Sequence, residues 1–356
     1  MNADAHQMEE LPTPALLVDL EALDHNVAAA EAMFRGSGKL LRPHVKTHRT
    51  AGLVSRQLRP PATGVTCATV GEAEAMVDAG IGDVLLANEF VTATKIERIA
   101  VVATRARIMV AVDAVGPVRA LSTAAERVGV VVGVLVDMDV GLGRCGVREP
   151  AEAKTLATAV DRAQSLRLAG IMGYEGRLRA STRDRKARID RALRTLADTK
   201  ALLESAGFPV PVVSAGGTST LRDVLGSQVV TEVQAGTYAL MERDLEGLGL
   251  PFRYAVRVAA TVISRSPGRV IVDAGRKTIG CDYGPPTPID ERGSTVAVSE
   301  EHTTLEWRES PPELGEQVFL RPSHVRTTFN LYDFVWLVRD GRVAQQLPVS
   351  ARGDSQ

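Results

Sequence analysis

Short apolar segments and amphipathic segments alternate along the chain between residues 40 and 233. Such alternation is typical of βαβ units with a parallel sheet, and eight units in about 200–250 residues match a closed (β/α)₈ barrel. The apolar runs predict strands at 40–46, 65–70, 83–87, 108–112, 131–136, 168–173, 210–214 and 229–233. The amphipathic segments predict helices at 71–79, 92–103, 114–128, 150–165, 183–205 and 220–225.

An open doubly wound sheet is the alternative, because it is also built from βαβ units. A dinucleotide-binding sheet of that kind carries GxGxxG after its first strand. Here the first predicted turn holds proline, histidine and lysine, and no such glycine motif follows the strand. The pattern therefore favours an α/β protein with a TIM barrel.

The pattern changes after about residue 247, where turns rich in glycine and proline separate short strands and no long helix is predicted. These strands are predicted at 253–263, 269–273, 294–299, 303–306, 317–320 and 334–339. The apolar run 15–18 precedes the first predicted helix, 23–34, and can pair into this mostly antiparallel sheet. We therefore predict a barrel at 25–246 and a β domain formed by 1–24 and 247–356.

Composition narrows the class of protein. The 356 residues include 45% hydrophobic and 24% charged residues, which is ordinary for a soluble globular protein of two domains. A net charge of −1 gives no electrostatic reason to bind nucleic acid or membranes. No apolar run is long enough to span a bilayer, and 1–10 does not resemble an export signal. Three cysteines without a CxxC motif suit a reduced, cytoplasmic setting.

The segment 40–50 (LLRPHVKTHRT) places Lys46 among two histidines and two arginines, where the first predicted strand gives way to a loop. Nearby cations disfavour protonation, so the pKa of Lys46 is expected to be lowered. A free amine is what a Schiff-base lysine needs. Taken alone, such a cluster is also typical of a solvated basic loop.

Further candidate side chains follow later strands of the predicted barrel, in segments 139–147, 173–177, 214–220 and 234–238. The carboxyl ends of barrel strands and the loops after them form the functional face. The loop 214–220 (SAGGTST) opens a short helix, so its backbone N–H groups and hydroxyls can converge on a phosphate, although a plain glycine turn has the same composition. A lysine, an arginine and a phosphate cradle on one barrel predict pyridoxal 5′-phosphate.

Five motifs resemble the D-threonine aldolase and D-serine dehydratase family. They are 43–48 (PHVKTH), 141–147 (GLGRCGV), 173–176 (GYEG), 214–218 (SAGGT) and 236–238 (GTY). The resemblance covers about 13–333, and the motifs keep their order. It implies an alanine-racemase-type fold, in which a pyridoxal-phosphate barrel is joined to a β domain, and a homodimer.

The resemblance also implies residue roles. Lys46 resembles the Schiff-base lysine and a base at the α-carbon, and Arg144 resembles the arginine facing the cofactor's phenolic oxygen. Tyr174 resembles a tyrosine near the pyridine ring. The residues that resemble the phosphate cradle are Ser214, Gly216, Gly217, Thr218 and Tyr238. Both tyrosines are equally compatible with ordinary aromatic residues at the edge of the core.

Two departures from the family concern a metal. Relatives carry His-x-Cys or His-x-Asp in the β-domain motif, where the pair holds a divalent cation near the substrate's β-hydroxyl. This chain has His324-Val-Arg326, and arginine offers no lone pair. Arg177 also stands where histidine commonly follows GYEG. His324 is thus the only metal-ligand candidate, and a metal is doubtful; Arg326 and Arg177 are predicted to bind substrate, although Arg326 also suits a surface ion pair.

These features predict a pyridoxal-phosphate lyase that cleaves the Cα–Cβ bond of a β-hydroxy-D-amino acid. His302, His324 and Arg326 join Lys46 as predicted catalytic residues, with the two histidines as candidates to handle the hydroxyl. The alternatives are β-elimination on D-serine or D-3-hydroxyaspartate, and racemisation. A cofactor-binding protein without turnover is the alternative from another class, and the large β domain argues against it.

Overall fold

The computed structural model describes residues 7–356, which divide into two compact units. The barrel unit comprises 30–46, 57–236 and 354–356. The β unit comprises 7–29, 47–56 and 237–353. The predicted domain limits, 25–246 against 1–24 with 247–356, stay a prediction, and their residues 1–6 lie outside the described part.

The barrel unit contains an eight-stranded sheet whose strands all run parallel, in the order β2-β9-β8-β7-β6-β5-β4-β3. After β1 (Ala15–Asp19) and α1 (Leu20–Phe34), its strands are β2 (Leu40–Leu41), β3 (Val65–Cys67), β4 (Asp83–Leu86), β5 (Arg107–Val112), β6 (Val132–Met138), β7 (Leu166–Gly173), β8 (Val212–Ala215) and β9 (Glu232–Val233). Parallel bridges join Leu41 to Ala62 and His44 to Thr66, so the first strand also meets the segment at β3. The predicted TIM-type barrel is confirmed.

Helices connect the strands of this sheet, as the amphipathic segments predict. They are α3 (Val70–Asp78), α4 (Ala93–Val102), α5 (Val115–Val128), α6 (Pro150–Asp161), α7 (Arg185–Ser205) and α8 (Leu221–Leu225), after a short α2 (Ala51–Gln57) that the pattern does not predict. Local chemistry sets their ends. The Thr69 hydroxyl accepts the N–H of Glu72 at the start of α3, and Gly129 ends α5 in a left-handed conformation that glycine adopts without strain.

The first predicted strand, 40–46, is regular only at Leu40–Leu41. Proline has no N–H to donate to a sheet, and Pro43 follows Arg42, whose own N–H still donates to Val233 at 2.9 Å. His44 still donates its N–H to the carbonyl of Ala235 at 3.2 Å, after which Val45–Thr47 forms a 3₁₀ turn. Lys46 therefore lies in a tight turn beyond the strand, rather than at the strand's last position.

The β unit is built on a mostly antiparallel sheet with the path β13-β14-β11-β10-β1-β16-β17, and β15 pairs with both β10 and β12. These elements are β10 (Val256–Ser266), β11 (Arg269–Val272), β12 (Thr287–Pro288), β13 (Gly293–Val298), β14 (Thr303–Trp307), β15 (Gln317–Arg321), α9 (Val325–Phe329), β16 (Phe334–Arg339) and β17 (Arg342–Pro348). As predicted, the N-terminal run joins this sheet, where β1 pairs antiparallel with β10 and parallel with β16. The apolar pattern does not predict β12, β17 or α9.

Within residues 7–356, none of the helices combines the length and apolar character needed to cross a bilayer.

Candidate active site

Lys46 and Arg144 lie near the same aromatic ring in the barrel unit. The Nζ of Lys46 is 5.7 Å from the ring centroid of Tyr174, and the Cζ of Arg144 is 6.0 Å from it. Lys46 follows β2, Arg144 lies in the loop after β6, and Tyr174 comes directly after β7. The convergence of strand ends that the sequence predicts thus brings these three side chains together.

The glycine loop after β8 reaches the same ring. A Cβ atom added to Gly217 would lie 3.5 Å from Cε2 of Tyr174. Gly216 has a φ of +78°, and a Cβ there would come within 2.9 Å of Val224, so a side chain would be both strained and crowded. Because Gly216 and Gly217 have no side chains, no side-chain atom of theirs lies between the backbone of this loop and Tyr174.

A buried carboxylate braces the glycine loop. Glu175 is 4% exposed and accepts a hydrogen bond from the hydroxyl of Thr220, and the same hydroxyl accepts the N–H of Gly217 at 3.2 Å. Burial raises the pKa of Glu175, while the hydrogen bond from Thr220 opposes that rise. Thr218 lies between Gly217 and Thr220 in the chain, at the start of a 3₁₀ turn. These hydrogen bonds fix the conformation of the loop.

Ser214 lies deeper, at the end of β8, and is fully buried. Its hydroxyl donates to Oε1 of Glu232 at 2.7 Å, while Oε2 of Glu232 accepts Nε of Arg42 at 2.8 Å. Arg42 also donates to Asp83 at 2.8 Å. Two carboxylates thus compensate the charge of Arg42. Arg42 is one of the two arginines near Lys46 in the sequence, and in the structure its charge is not an uncompensated one.

Two carboxylates accept hydrogen bonds from the backbone of the loop that carries Arg144. Oδ1 of Asp139 accepts the N–H groups of Gly141 at 3.0 Å and Gly143 at 2.9 Å. On the other side of Arg144, the N–H of Gly146 donates to Asp113 at 3.2 Å. These bonds hold the turn on both sides of the guanidinium.

Sequence reasoning missed a carboxylate pair beside this loop. Asp137, on β6, is 4% exposed. Its burial, a hydrogen bond with Glu89 and the charge of Glu89 raise the pKa of Asp137 to about 8, against the opposing charge of Arg144. The same surroundings, burial first and then a hydrogen bond with Glu89, raise the pKa of Cys145 to about 11. In the sequence, the signal for this pair was Asp137 itself, an acidic residue at the end of a barrel strand.

The β-unit candidates centre on His324 and Arg326. Nε of Arg326 donates to Nε2 of His324 at 3.0 Å, and Nη2 of Arg326 donates to Oε1 of Glu242 at 2.5 Å. Nδ1 of His324 lies 2.9 Å from Oδ2 of Asp282, and the ring packs against Tyr283 with centroids 4.5 Å apart. Burial lowers the pKa of His324, and the charge of Arg326 adds to that effect, while the hydrogen bond that the ring donates to Asp282 opposes it.

Three further residues are predicted from the sequence to belong to the site. His302 is exposed in the turn before β14 and, in the described chain, makes no hydrogen bond or ion pair with His324 or Arg326. Tyr238 is buried in the β unit, with its ring 5.8 Å from that of Phe252. Arg177 is half-buried in the loop after β7. The roles predicted for all three stay predictions.

The residues at His324 do not fit a divalent cation. One ring nitrogen accepts the guanidinium N–H and the other faces Asp282, so the imidazole turns no unused lone pair toward a metal. In residues 7–356, no group of three His, Cys, Asp or Glu side chains is placed to hold a metal ion. The residues around Tyr174, by contrast, fit pyridoxal phosphate, since an amine, a guanidinium and a bare glycine loop border one flat ring.

Comparison with known proteins agrees with this geometry. The family model for the alanine racemase N-terminal domain matches residues 18–244, and a serine dehydratase domain model matches 255–338. A D-threonine aldolase from Arthrobacter sp is 37% identical over 98% of this chain and 95% of its own length. A 3-hydroxy-D-aspartate aldolase from Paracoccus denitrificans (strain Pd 1222) is 33% identical over 97% of this chain and 93% of its own.

A solved structure extends the likeness to the fold. The crystal structure of D-threonine aldolase from Filomicrobium marinum matches with a TM-score of 0.95 and 38% identity, covering 99% of both chains. The D-threo-3-hydroxyaspartate dehydratase from Delftia sp. HT23 matches with a TM-score of 0.83 and 26% identity, over 96% of this chain and 98% of that one. The chain therefore belongs to the alanine-racemase-type, fold type III family of pyridoxal-phosphate enzymes that contains the D-threonine and 3-hydroxy-D-aspartate aldolases.

Proposed function

We propose that this protein is a carbon–carbon lyase that splits the Cα–Cβ bond of a β-hydroxy-D-amino acid by retro-aldol cleavage. The observation that carries the proposal is the meeting of Lys46, Arg144 and the Gly216–Gly217 loop at the ring of Tyr174. Similarity to aldolases over nearly the whole chain supports the same reaction. Bound pyridoxal phosphate supplies an electron sink for the pair released from the broken bond.

The barrel residues have distinct tasks in this proposal. The amine of Lys46 would anchor the cofactor's aldehyde and exchange protons at the α-carbon. The guanidinium of Arg144 would stabilise negative charge on the phenolic oxygen, and hydrogen bonds to Asp139 and Asp113 already hold its loop in place. Tyr174 would lie beside the cofactor's ring, and the glycine loop with Thr218 would bind the phosphate.

Cleavage removes the β-hydroxyl proton, turns Cβ into an aldehyde carbon and leaves glycine once Cα regains a proton. A base must take the hydroxyl proton, and the candidates remain His302 and His324. At His324 the Arg326 N–H donates to Nε2, so that nitrogen carries no proton, and it can act as a base once this hydrogen bond is exchanged for one from the substrate hydroxyl. A neutral imidazole is the form that accepts a proton.

We also propose that the reaction needs no resident divalent cation. The support is the Arg326 guanidinium, which holds a fixed positive charge against His324, at the position where the family resemblance implies a metal-binding side chain. Guanidinium groups stabilise oxyanions through parallel hydrogen bonds. Arg326 and Arg177 are accordingly the residues proposed to bind substrate.

β-Elimination is the second candidate reaction. The match of residues 255–338 to a serine dehydratase domain and the likeness to the Delftia dehydratase favour it. Elimination expels the β-hydroxyl as water and ends in a 2-oxo acid and ammonia, whereas aldol cleavage ends in glycine and an aldehyde.

Product analysis separates these reactions. Protein loaded with pyridoxal phosphate is incubated with D-threonine, D-serine and D-3-hydroxyaspartate. Glycine with an aldehyde is the expected outcome, and it should be absent with Lys46→Arg, which keeps the charge but cannot anchor the cofactor. A 2-oxo acid with ammonia would establish the elimination, and an L-isomer would establish racemisation.

We further propose that the protein acts as a homodimer, as the family resemblance implies. Light scattering coupled to size-exclusion chromatography tests this directly. A mass near twice that of the 38.0 kDa chain is expected, and a mass of one chain at micromolar concentration would refute it.

A further inference from the structure

Glu242 is a buried carboxylate that neither motif nor spacing singles out. It is 1% exposed, and it follows Met241, whose left-handed φ of +58° turns the chain just before it. Oε2 of Glu242 accepts the N–H of Val325 at 3.4 Å, and Oε1 accepts Nη2 of Arg326. A buried carboxylate of this kind needs a cation beside it, because removing charge from water is costly.

One guanidinium bridges two groups that are ordinary metal ligands. Nε of Arg326 meets an imidazole nitrogen of His324 at 3.0 Å, and Nη2 of Arg326 meets a carboxylate oxygen of Glu242 at 2.5 Å. Imidazole nitrogen and carboxylate oxygen are the donors that bind zinc and other borderline cations. Both groups contact the guanidinium of Arg326, so the chain itself supplies the positive charge between them.

Neighbouring side chains fix the orientation of the His324 ring. Its Nδ1 donates to Asp282 at 2.9 Å and lies 2.7 Å from Oγ1 of Thr327. A histidine whose Nδ1–H donates to a carboxylate directs the lone pair of Nε2 outward, as in many metal sites. The Tyr283 hydroxyl is 3.5 Å from that same Nε2. The imidazole is thus oriented to bind a cation with Nε2, and Arg326 occupies that position.

We propose that Arg326 is a built-in cation that closes a latent divalent-metal site whose ligands are Nε2 of His324 and Oε1 of Glu242. The wild-type protein then binds no metal at this place. Loss of the guanidinium leaves an oriented imidazole and a buried, uncompensated carboxylate, which together take up a divalent cation. The test measures ion binding and needs no turnover, so failure of this proposal and failure of the lyase proposal are distinguishable.

The test is Mn²⁺ binding by the full-length protein loaded with pyridoxal phosphate, followed by calorimetry and by loss of the free-ion paramagnetic resonance signal. Arg326→Ala should bind one Mn²⁺ per chain, and wild type should bind none at this site. Adding Glu242→Gln or His324→Ala to Arg326→Ala should weaken that binding by more than the roughly 10–100-fold that loss of an outer-shell partner costs, because each removes a direct ligand. Mn²⁺ should also raise the melting temperature of Arg326→Ala but not that of wild type.

Arg292→Ala is the matched control, because Arg292 also pairs with a carboxylate, Asp290, but at the surface. Its removal should create no Mn²⁺ site. If Arg326→Ala does not fold, Arg326→Met keeps the length of the side chain without its N–H donors and should bind Mn²⁺ likewise. Wild-type binding that His324→Ala abolishes, or a folded Arg326 variant that binds no Mn²⁺, would overturn the proposal.

Discussion

The hydroxyl of Ser214 donates to Oε1 of Glu232 at 2.7 Å inside the barrel, and a side-chain N–H of Gln234 donates to the same hydroxyl at 3.0 Å. Ser214 thereby links the ends of β8 and β9, next to the ion pair between Glu232 and Arg42. Ser214→Ala should lower the free energy of unfolding by about 1–3 kcal/mol, because a buried carboxylate oxygen loses its partner. Urea denaturation measures that loss.

Cofactor affinity distinguishes this structural role from the predicted phosphate contact. Thr218→Ala is the comparison, since Thr218 begins the turn after the two glycines. We expect Thr218→Ala to weaken pyridoxal-phosphate binding and Ser214→Ala to leave it nearly unchanged. Weakened cofactor binding in Ser214→Ala without loss of stability would show that its hydroxyl serves the phosphate.

Lys46 should be the residue that pyridoxal phosphate modifies. Borohydride reduction of the yellow holoprotein should fix the cofactor on Lys46, because its amine lies beside the Tyr174 ring and the glycine loop. Peptide mapping by mass spectrometry locates the adduct. Lys46→Ala should lose the visible band yet keep weak binding through the loop, and an adduct on another lysine would disprove the assignment.

Arg144 should act directly on the cofactor. Arg144→Ala should lower the rate about 10²–10³-fold, the scale of losing one preorganised electrostatic group. The pH at which the cofactor's absorption band changes should also move upward, since an ionised phenolic oxygen loses its cation. Arg148→Ala is the matched control, because Arg148 lies in the same loop with a side chain that is 81% exposed. An unchanged rate and spectrum in Arg144→Ala would leave it a structural role only.

Activity should not depend on a divalent cation, because Arg326 already places a positive charge against His324. Dialysis of the holoenzyme against EDTA should leave turnover unchanged, and added Mn²⁺, Mg²⁺ or Zn²⁺ should raise it little. Re-addition of pyridoxal phosphate controls for loss of the cofactor during dialysis. Abolished turnover that one metal restores would contradict the prediction and remove the role proposed for Arg326.

Asp137 should make the protein less stable as pH rises from about 5 to 8. Its pKa is raised to about 8 from the ordinary 3.8, so in this window the folded protein binds a proton that the unfolded chain has lost. Stability then falls with pH until Asp137 ionises in both states. Asp137→Asn should flatten the dependence measured by urea unfolding, while Asp290→Asn should not, because Arg292 lowers the pKa of Asp290 to about 2. An equally steep dependence in Asp137→Asn would refute this origin.

The sequence by itself determined the barrel, the β sheet and the positions of Lys46, Arg144 and Tyr174. Hydrophobic periodicity is local, and the carboxyl ends of parallel strands share one face of a barrel, so residues that follow successive strands must converge. The regular end of β2 was less predictable, because Pro43 has no N–H to donate although Arg42 and His44 on either side still bond to Val233 and Ala235.

Only the tertiary structure decided which charges compensate one another. Arg326 and Glu242 are 84 residues apart, and Ser214 and Glu232 are 18 apart, so no local pattern pairs them. Asp137 and Glu89 likewise come from different strand ends, and burial decides that they share a hydrogen bond. The protonation and pairing of a side chain depend on how much water and which charges packing leaves around it, and these follow from the folded chain rather than from neighbouring residues in the sequence.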